Sequence, residues 1–154
     1  MKTLSGIGLS SVQQVYSGPE GDLWELIMGQ QIHVGGFASS MDLAEKAGLA
    51  EGARGVDLCC CTGAGMRFLI RFRKAAHMTG VDATATVLGR ARERCAAEGM
   101  SDRTTLVEAD VCRTGLPDAA ADFVWGEDAW CYVGDKAALI REAARLVRPG
   151  GTVA

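Results

Sequence analysis

Proline is scarce in this chain, 3 of 154 residues, and no low-complexity segment or internal repeat occurs, which excludes proline-rich linkers and recognition tracts. No apolar run approaches the ~18 residues of a membrane helix, and the start, MKTLSGIGLSS, lacks the apolar core of a signal peptide. The expectation is a protein without a membrane partner. No basic block exists either: 16 Lys and Arg against 19 Asp and Glu give a net charge of −3, which argues against nucleic acid held by charge. The cysteines contain no C-x-x-C pair and no second cluster, so no metal site is expected.

What is present is an ordinary globular composition, 48% apolar and 23% charged, at a length that suits one domain. Two counts stand out. Glycine is 20 of 154, against an average of about 7%, and points to tight turns and close backbone approach. Six cysteines include three in a row, Cys59, Cys60 and Cys61, with Cys95, Cys112 and Cys131 isolated. A chain this long builds a core without disulfide staples. All six read as reduced thiols of a cytoplasmic protein, most of them acting as small buried apolar residues.

The first fifty residues are rich in Gly, Ser and Gln, with one predicted helix from Ser40 to Ala47, capped by Ser39 or Ser40 and stopped by Gly48. From Gly55 the pattern is regular. Gly55 to Cys61 reads as a buried strand entering the turn Thr62-Gly63-Ala64-Gly65. Met66 to Ala76 reads as a helix with Phe68, Leu69, Phe72 and Ala76 inward and Arg67, Arg71, Arg73 and Lys74 on a solvated face. Strands follow at His77 to Asp82, Thr104 to Ala109 and Asp122 to Gly126, with helices at Thr84 to Glu98 and Ala137 to Val147. Pro149-Gly150-Gly151 ends the last helix, and Thr152 to Ala154 reads as a fifth strand beginning. Alternating strands and helices predict an α/β, Rossmann-like, doubly wound parallel sheet, with ligands at the carboxyl ends of its strands.

Those ends carry informative residues. After the first strand, small residues of the Gly63 turn let a ligand lie against backbone N–H groups. Asp82 ends the second strand, nineteen residues past Gly63, where a carboxylate accepts both hydroxyls of a ribose. Asp110 ends the third, and Glu127, Asp128, Trp130 and Tyr132 follow the fourth. A nucleoside-containing cofactor needs such groups along one sheet edge.

The segments GVDLCCCTGAG, GVDAT, VEADV, ADFVWGEDAWCYV and REAARLVRPGG, taken in this order, resemble the class I S-adenosylmethionine-dependent methyltransferases from Gly55 to Ala154. QQIHVGG, Gln30 to Gly36, resembles the segment before the core in small-molecule enzymes of the sarcosine and dimethylglycine type. The resemblance implies S-adenosyl-L-methionine as cofactor and a small-molecule methyl acceptor, with nitrogen or oxygen as nucleophile. It implies cofactor contacts from Asp57, Gly63, Asp82 with Ala83, Asp110 with Val111, and Glu127, and substrate contacts from Tyr16, His33 and Trp130. No catalytic base is implied, because the sulfonium already activates the methyl group. Where the family has glycines this chain has Cys59 and Cys61; the first substitution suits a buried strand end, whereas the second crowds the cofactor loop.

Residue by residue, plainer roles compete. Asp57 and Asp128 suit turns or caps, His33 suits a hydrogen-bonded loop, His77 lies at the wrong end of the sheet, and Trp125 reads as core. Two other functions share the fold: a non-catalytic cofactor-binding or scaffold module, and a dinucleotide-dependent oxidoreductase domain, the latter disfavoured by the absence of G-x-G-x-x-G. Two regions are expected, a cap at 1–50 that helps form the substrate pocket and a cofactor-binding core at 51–154. The family's sheet has seven strands, so a chain ending in its fifth is expected to be C-terminally truncated or to have its open sheet edge covered by a partner, such as a second copy.

Overall fold

The computed structural model describes residues 8–29, 31 and 33–154; Gln30 and Ile32 of the QQIHVGG segment lie outside the described residues, as do residues 1–7. Five strands form one parallel sheet: β1 (Arg54–Leu58), β2 (His77–Asp82), β3 (Thr104–Glu108), β4 (Ala121–Trp125) and β5 (Val147–Val153). Their spatial order is β3-β2-β1-β4-β5, so the chain reverses direction across the sheet between β1 and β4. The helices are α1 (Leu9–Ser17), α2 (Pro19–Met28), α3 (Gly36–Lys46), α4 (Ala64–Phe72), α5 (Ala85–Ala97) and α6 (Lys136–Leu146). Among the described residues, no helix is long and apolar enough to cross a membrane.

The sheet is covered on both faces, which is why its central strands read as near-continuous apolar runs. One buried cluster packs Met66, Phe68, Leu69, Leu88 and Trp125 together; the other packs Val56, Leu58, Val81, Val124, Leu139 and Leu146. The inward residues read for α5 (Val87, Leu88, Ala91, Cys95) are buried, as are Leu139, Ala143 and Leu146 of the four read for α6; the fourth, Val147, is half-buried and begins β5. The sheet also explains two strand glycines. A Cβ on Gly55 would overlap the Phe123 ring, and one on Gly80 would overlap Met66 and lie 2.7 Å from Cys60 Sγ.

Several elements differ from the sequence reading. β1 stops at Leu58, and Cys59 to Cys61 belong to the turn, because Cys59 (φ 66°) and Cys61 (φ 46°) adopt left-handed backbone that no strand accommodates. α4 starts two residues earlier than predicted and ends at Phe72, so Ala76 falls outside it and is exposed, while Phe72 is 46% exposed against Phe37. Arg67 is not on a solvated face: it is buried and paired with Glu98, which also holds Arg71 at 2.9 Å and so ties α4 to the end of α5. α3 begins at Gly36, after the left-handed Gly35, which leaves Ser39 and Ser40 inside the helix rather than capping it. β5 begins at Val147 and contains Pro149-Gly150-Gly151. That segment bulges out of register between the pairs Ala121–Val147 and Phe123–Thr152, which an edge strand tolerates.

The sequence reading did not identify α1 or α2. Ion pairs from Arg90 to Asp22 (2.6 Å) and from Arg94 to Glu25 (2.5 Å) hold α2 on α5. Gln13 Nε2 donates to the Ala83 carbonyl at 2.6 Å and pins α1 over the end of β2. Replacing Gly55 with Ala is expected to destabilise the protein by about 1–3 kcal/mol, since a rigid ring and the facing strand must move. Urea unfolding checks this, and an unchanged midpoint would contradict the packing described.

Candidate functional site

A cavity of about 500 Å³ opens at the carboxyl ends of the strands, where the strand order reverses. It draws on four strand ends: Asp57 on β1, Asp82 on β2, Asp110 after β3, and Trp125 with Glu127 at the end of β4. Of the residues predicted from sequence, Asp57, Cys59, Cys61, Asp82, Ala83, Asp110, Val111, Glu127, Tyr16 and His33 all line it. Gly63 and Trp130 are not among the lining residues. Gly63 (φ 75°) begins α4 against Ala91, and Trp130 donates its indole N–H to the Leu58 carbonyl at 3.1 Å. Both support the wall from behind.

Each carboxylate is placed by local backbone. Asp82 accepts from Cys61 N (3.0 Å) through Oδ2 and from Thr84 N (2.9 Å) through Oδ1, which joins the two loops after β1 and β2. A carboxylate offers about four acceptor sites, so both oxygens keep capacity for a ligand hydroxyl. Asp110 Oδ1 accepts from Cys112 N at 2.8 Å in a tight turn. The loop after β4 is closed by Lys136, whose Nζ donates to the carbonyls of Trp130 (2.5 Å), Cys131 (2.8 Å) and Val133 (2.5 Å). That closure brings Tyr132 to Tyr16 of α1, ring centroids 6.4 Å apart and edge to face.

Asp57 is the most perturbed carboxyl. It is 4% exposed, and burial, with Asp82 and Glu127 nearby, raises its pKa to about 8. Burial likewise raises Asp82 and Glu127, opposed at Asp82 by its backbone donors and at Glu127 by Ser40 and His33. A Cβ on Gly65 would stand 2.9 Å from Asp57 Oδ2 and 3.2 Å from Trp125 Nε1, so only glycine leaves this corner open. Trp125 Nε1 is buried without a hydrogen-bond partner. Ala64 and Gly65, in the first turn of α4, add N–H groups that a helix leaves unpaired. No Lys or Arg is among the described lining residues. The corner thus combines buried carboxyls, which favour a cation, with free N–H donors, which favour a carboxylate.

The thiols depart from expectation. Cys60 and Cys95 are buried, Cys59, Cys61 and Cys112 are half-buried along the cavity, and Cys131 is exposed; all six are free. Burial and the Asp82 carboxylate push Cys61 up to about 12, and burial also pushes Cys59 and Cys60 well up, so they are not thiolates at neutral pH. The assumption that Cys59 replaces a strand-end glycine without strain is wrong, because its backbone is as left-handed as that of Cys61.

The sequence reading missed Ser39, Ser40 and Gln13. Ser40 Oγ donates to Glu127 Oε2 at 2.8 Å and Ser39 Oγ to Oε1 at 3.3 Å. Both lie inside α3, which begins at Gly36, and they reach Glu127 from adjacent positions rather than capping the helix.

A doubly wound parallel sheet with carboxylates at its switch point is the architecture of nucleoside-binding α/β proteins. Residues 56–154 match the family model described as "Methyltransferase domain", and the chain belongs to that family. The chain is similar to dimethylglycine N-methyltransferase of Parasynechococcus marenigrum, 29% identical over 98% of this chain and 59% of that protein. It is also similar to a sterol 24-C-methyltransferase of Gibberella zeae, 28% identical over 92% of this chain and 40% of the relative. In fold it matches a Haemonchus contortus phosphoethanolamine N-methyltransferase, solved with phosphomonomethylethanolamine and S-adenosylhomocysteine. The TM-score is 0.86 and the identity 24%, covering 96% of this chain and 35% of that one. The chain therefore spans roughly two fifths to three fifths of the length of these curated relatives.

Two outcomes follow for the site. Asp57 binds its proton in the folded protein up to about pH 8 but only to about pH 4 when unfolded, so its contribution to stability falls as pH rises between those values. Asp57→Asn is expected to flatten this decline in urea titrations at several pH values; an unchanged slope would remove Asp57 as its source. Cys61→Gly relieves left-handed strain of roughly 1–2 kcal/mol but loses about 0.5–1 kcal/mol to chain entropy. Its net stabilisation, up to about 1.5 kcal/mol, is read from the thermal midpoint, and a clear loss of stability would show that the thiol's packing outweighs the strain.

Proposed function

We propose that this chain binds S-adenosyl-L-methionine and transfers its methyl group to a small-molecule nucleophile with a nitrogen or oxygen acceptor. The observation that carries the reading is the convergence of Asp57, Asp82, Asp110 and Glu127 on one cavity at the switch point. Bound there, the cofactor supplies a methyl group already activated by its sulfonium. Asp82 would hold the ribose with the acceptor sites that its backbone donors leave open. Asp110 and Val111 would meet the base. Asp57 and Glu127 would face the positively charged amino-acid end, while Ala64, Gly65 and Trp125 Nε1 offer N–H groups to its carboxylate.

The protein's further work is to orient the acceptor and exclude water, which in favourable geometry is equivalent to effective molarities of roughly 10⁵–10⁸ M. Residues 1–50 act as the cap of the site in this reading, because Leu9, Val12 and Tyr16 of α1 and His33 before α3 line the cavity opposite the strand ends. Six free thiols fit a cytoplasmic setting.

Calorimetric titration with S-adenosylhomocysteine, and with NADH as comparison, tests the reading. Wild-type protein is expected to bind the former and ignore the latter. Asp82→Ala is expected to weaken binding by roughly 10–100-fold, the loss of one or two hydrogen bonds to a charged group. Equal affinity in the two proteins would overturn the assignment of Asp82.

A further inference from the structure

Next to the cofactor corner, at Glu127, the cavity wall contains a histidine set between two carboxylates. His33 is 8% exposed. Its Nε2 lies 3.0 Å from Ser40 Oγ and 3.3 Å from Glu127 Oε2; its Nδ1 lies 3.0 Å from the Val34 carbonyl and 3.7 Å from Asp128 Oδ2. The outer carboxylate differs sharply from the inner one: the Asp128 side chain is 55% exposed, that of Glu127 only 9%.

The proton positions follow from these partners. Nδ1 faces only acceptors, so it carries a hydrogen in every state. Nε2 faces a carboxylate, which only accepts, and a hydroxyl, which can do either. In the neutral ring Nε2 is the lone pair and takes the Ser40 hydroxyl hydrogen. In the imidazolium, Nε2–H points to Glu127 or Ser40, and the Ser40 hydroxyl is free to donate to Glu127, the arrangement at 2.8 Å. Ser40 is thus a two-position switch between the carboxylate and the ring. Its oxygen is kept in place by α3, where it also lies 3.4 Å from the Gly36 carbonyl.

We infer that Glu127, Ser40 and His33 form a proton relay that unloads a protonated amine before it accepts the methyl group. This rests on the methyl-transfer reading above and specifies its acceptor class as an ammonium compound. The described lining residues include the carboxylates of Asp57, Asp82, Asp110, Glu127, Asp128 and Asp135 and no Lys or Arg, so they welcome a cation and offer no charged partner to a phosphate or carboxylate. Tyr16 and Tyr132 add aromatic surface on the same wall, which also favours an alkylammonium group.

The balance is simple. One N–H bond of the ammonium breaks, its electron pair remains on nitrogen as the nucleophile, and the proton forms an O–H bond on Glu127. That proton then passes to the Nε2 lone pair, which restores the Glu127 carboxylate and leaves an imidazolium between Glu127 and Asp128. Asp128, at the solvent end, stabilises the imidazolium until the product leaves; Nε2 then returns its proton to Glu127 and from there to water, and Nδ1 keeps its hydrogen throughout. Glu127 touches the acceptor in this scheme; His33 and Ser40 act through it as positioning residues.

The decisive test needs no ligand. Only two histidines exist, and His77→Gln leaves His33 as the single imidazole for ¹⁵N NMR. The neutral His33 ring is expected to be the Nδ1–H tautomer, the reverse of the usual preference, and Ser40→Ala is expected to shift it toward Nε2–H. A neutral ring that is already Nε2–H in the His77→Gln protein would overturn the relay. With S-adenosylhomocysteine bound, methylammonium chloride is expected to shift the His33 signals and sodium acetate to leave them in place; acetate acting as strongly as methylammonium would overturn the acceptor class. Failure of S-adenosylhomocysteine to bind at all is a failure of the methyl-transfer reading, and the tautomer measurement stands apart from it.

Discussion

A carboxyl group buried at the end of the central strand is the constraint on which this molecule turns. Asp57 sits where β1 meets the reversal of strand order, 4% exposed, beside the carboxylates of Asp82 and Glu127. Such a group is costly to ionise without a cation, and the surrounding design leaves room for one. Gly65 keeps the corner open, Trp125 Nε1 waits unpaired beside it, and the first turn of α4 faces it. The cavity therefore has an electrostatic demand that a positively charged, carboxylate-bearing ligand meets on both counts.

The rest of the fold holds that corner at fixed geometry. Asp82 joins the β1 and β2 loops through Cys61 N and Thr84 N. The left-handed backbone at Cys59 and Cys61 is strain stored in the turn after β1, beside the cavity. The first two helices are tethered by charge and by one amide: Arg90 and Arg94 on α5 reach α2, and Gln13 of α1 reaches the Ala83 carbonyl. Through these ties α1 delivers Tyr16 to the cavity, and α3 delivers Ser39 and Ser40 to Glu127.

Much of this was legible in the sequence where burial imposes a strict period. β2 falls at His77–Asp82 as read, α5 buries the residues that its spacing selects, and α6 does so for Leu139, Ala143 and Leu146. Strand-end carboxylates were legible too, since the strand-end rule turns a sequence position into a place in space. Where burial is weak, the reading failed. α1 turns Leu9, Val12 and Tyr16 to a cavity and buries no residue fully, and α2 buries only Gly21 while Leu23, Leu26 and Ile27 face outward, so neither helix presents a buried apolar stripe. Arg67 looked solvated because its partner, Glu98, lies thirty-one residues away on another helix. The roles of Ser40 and Trp130 depend on long-range partners, Glu127 and the Leu58 carbonyl, that local spacing does not reveal.

A cationic nucleoside cofactor would enter the cavity at the expense of the Asp57 proton. Calorimetry of S-adenosylmethionine binding in buffers of different ionisation enthalpy measures that proton directly. Net proton release is expected below about pH 8, fading above it, with affinity that rises with pH up to that point. Binding without proton release, or release undiminished in Asp57→Asn, would contradict it.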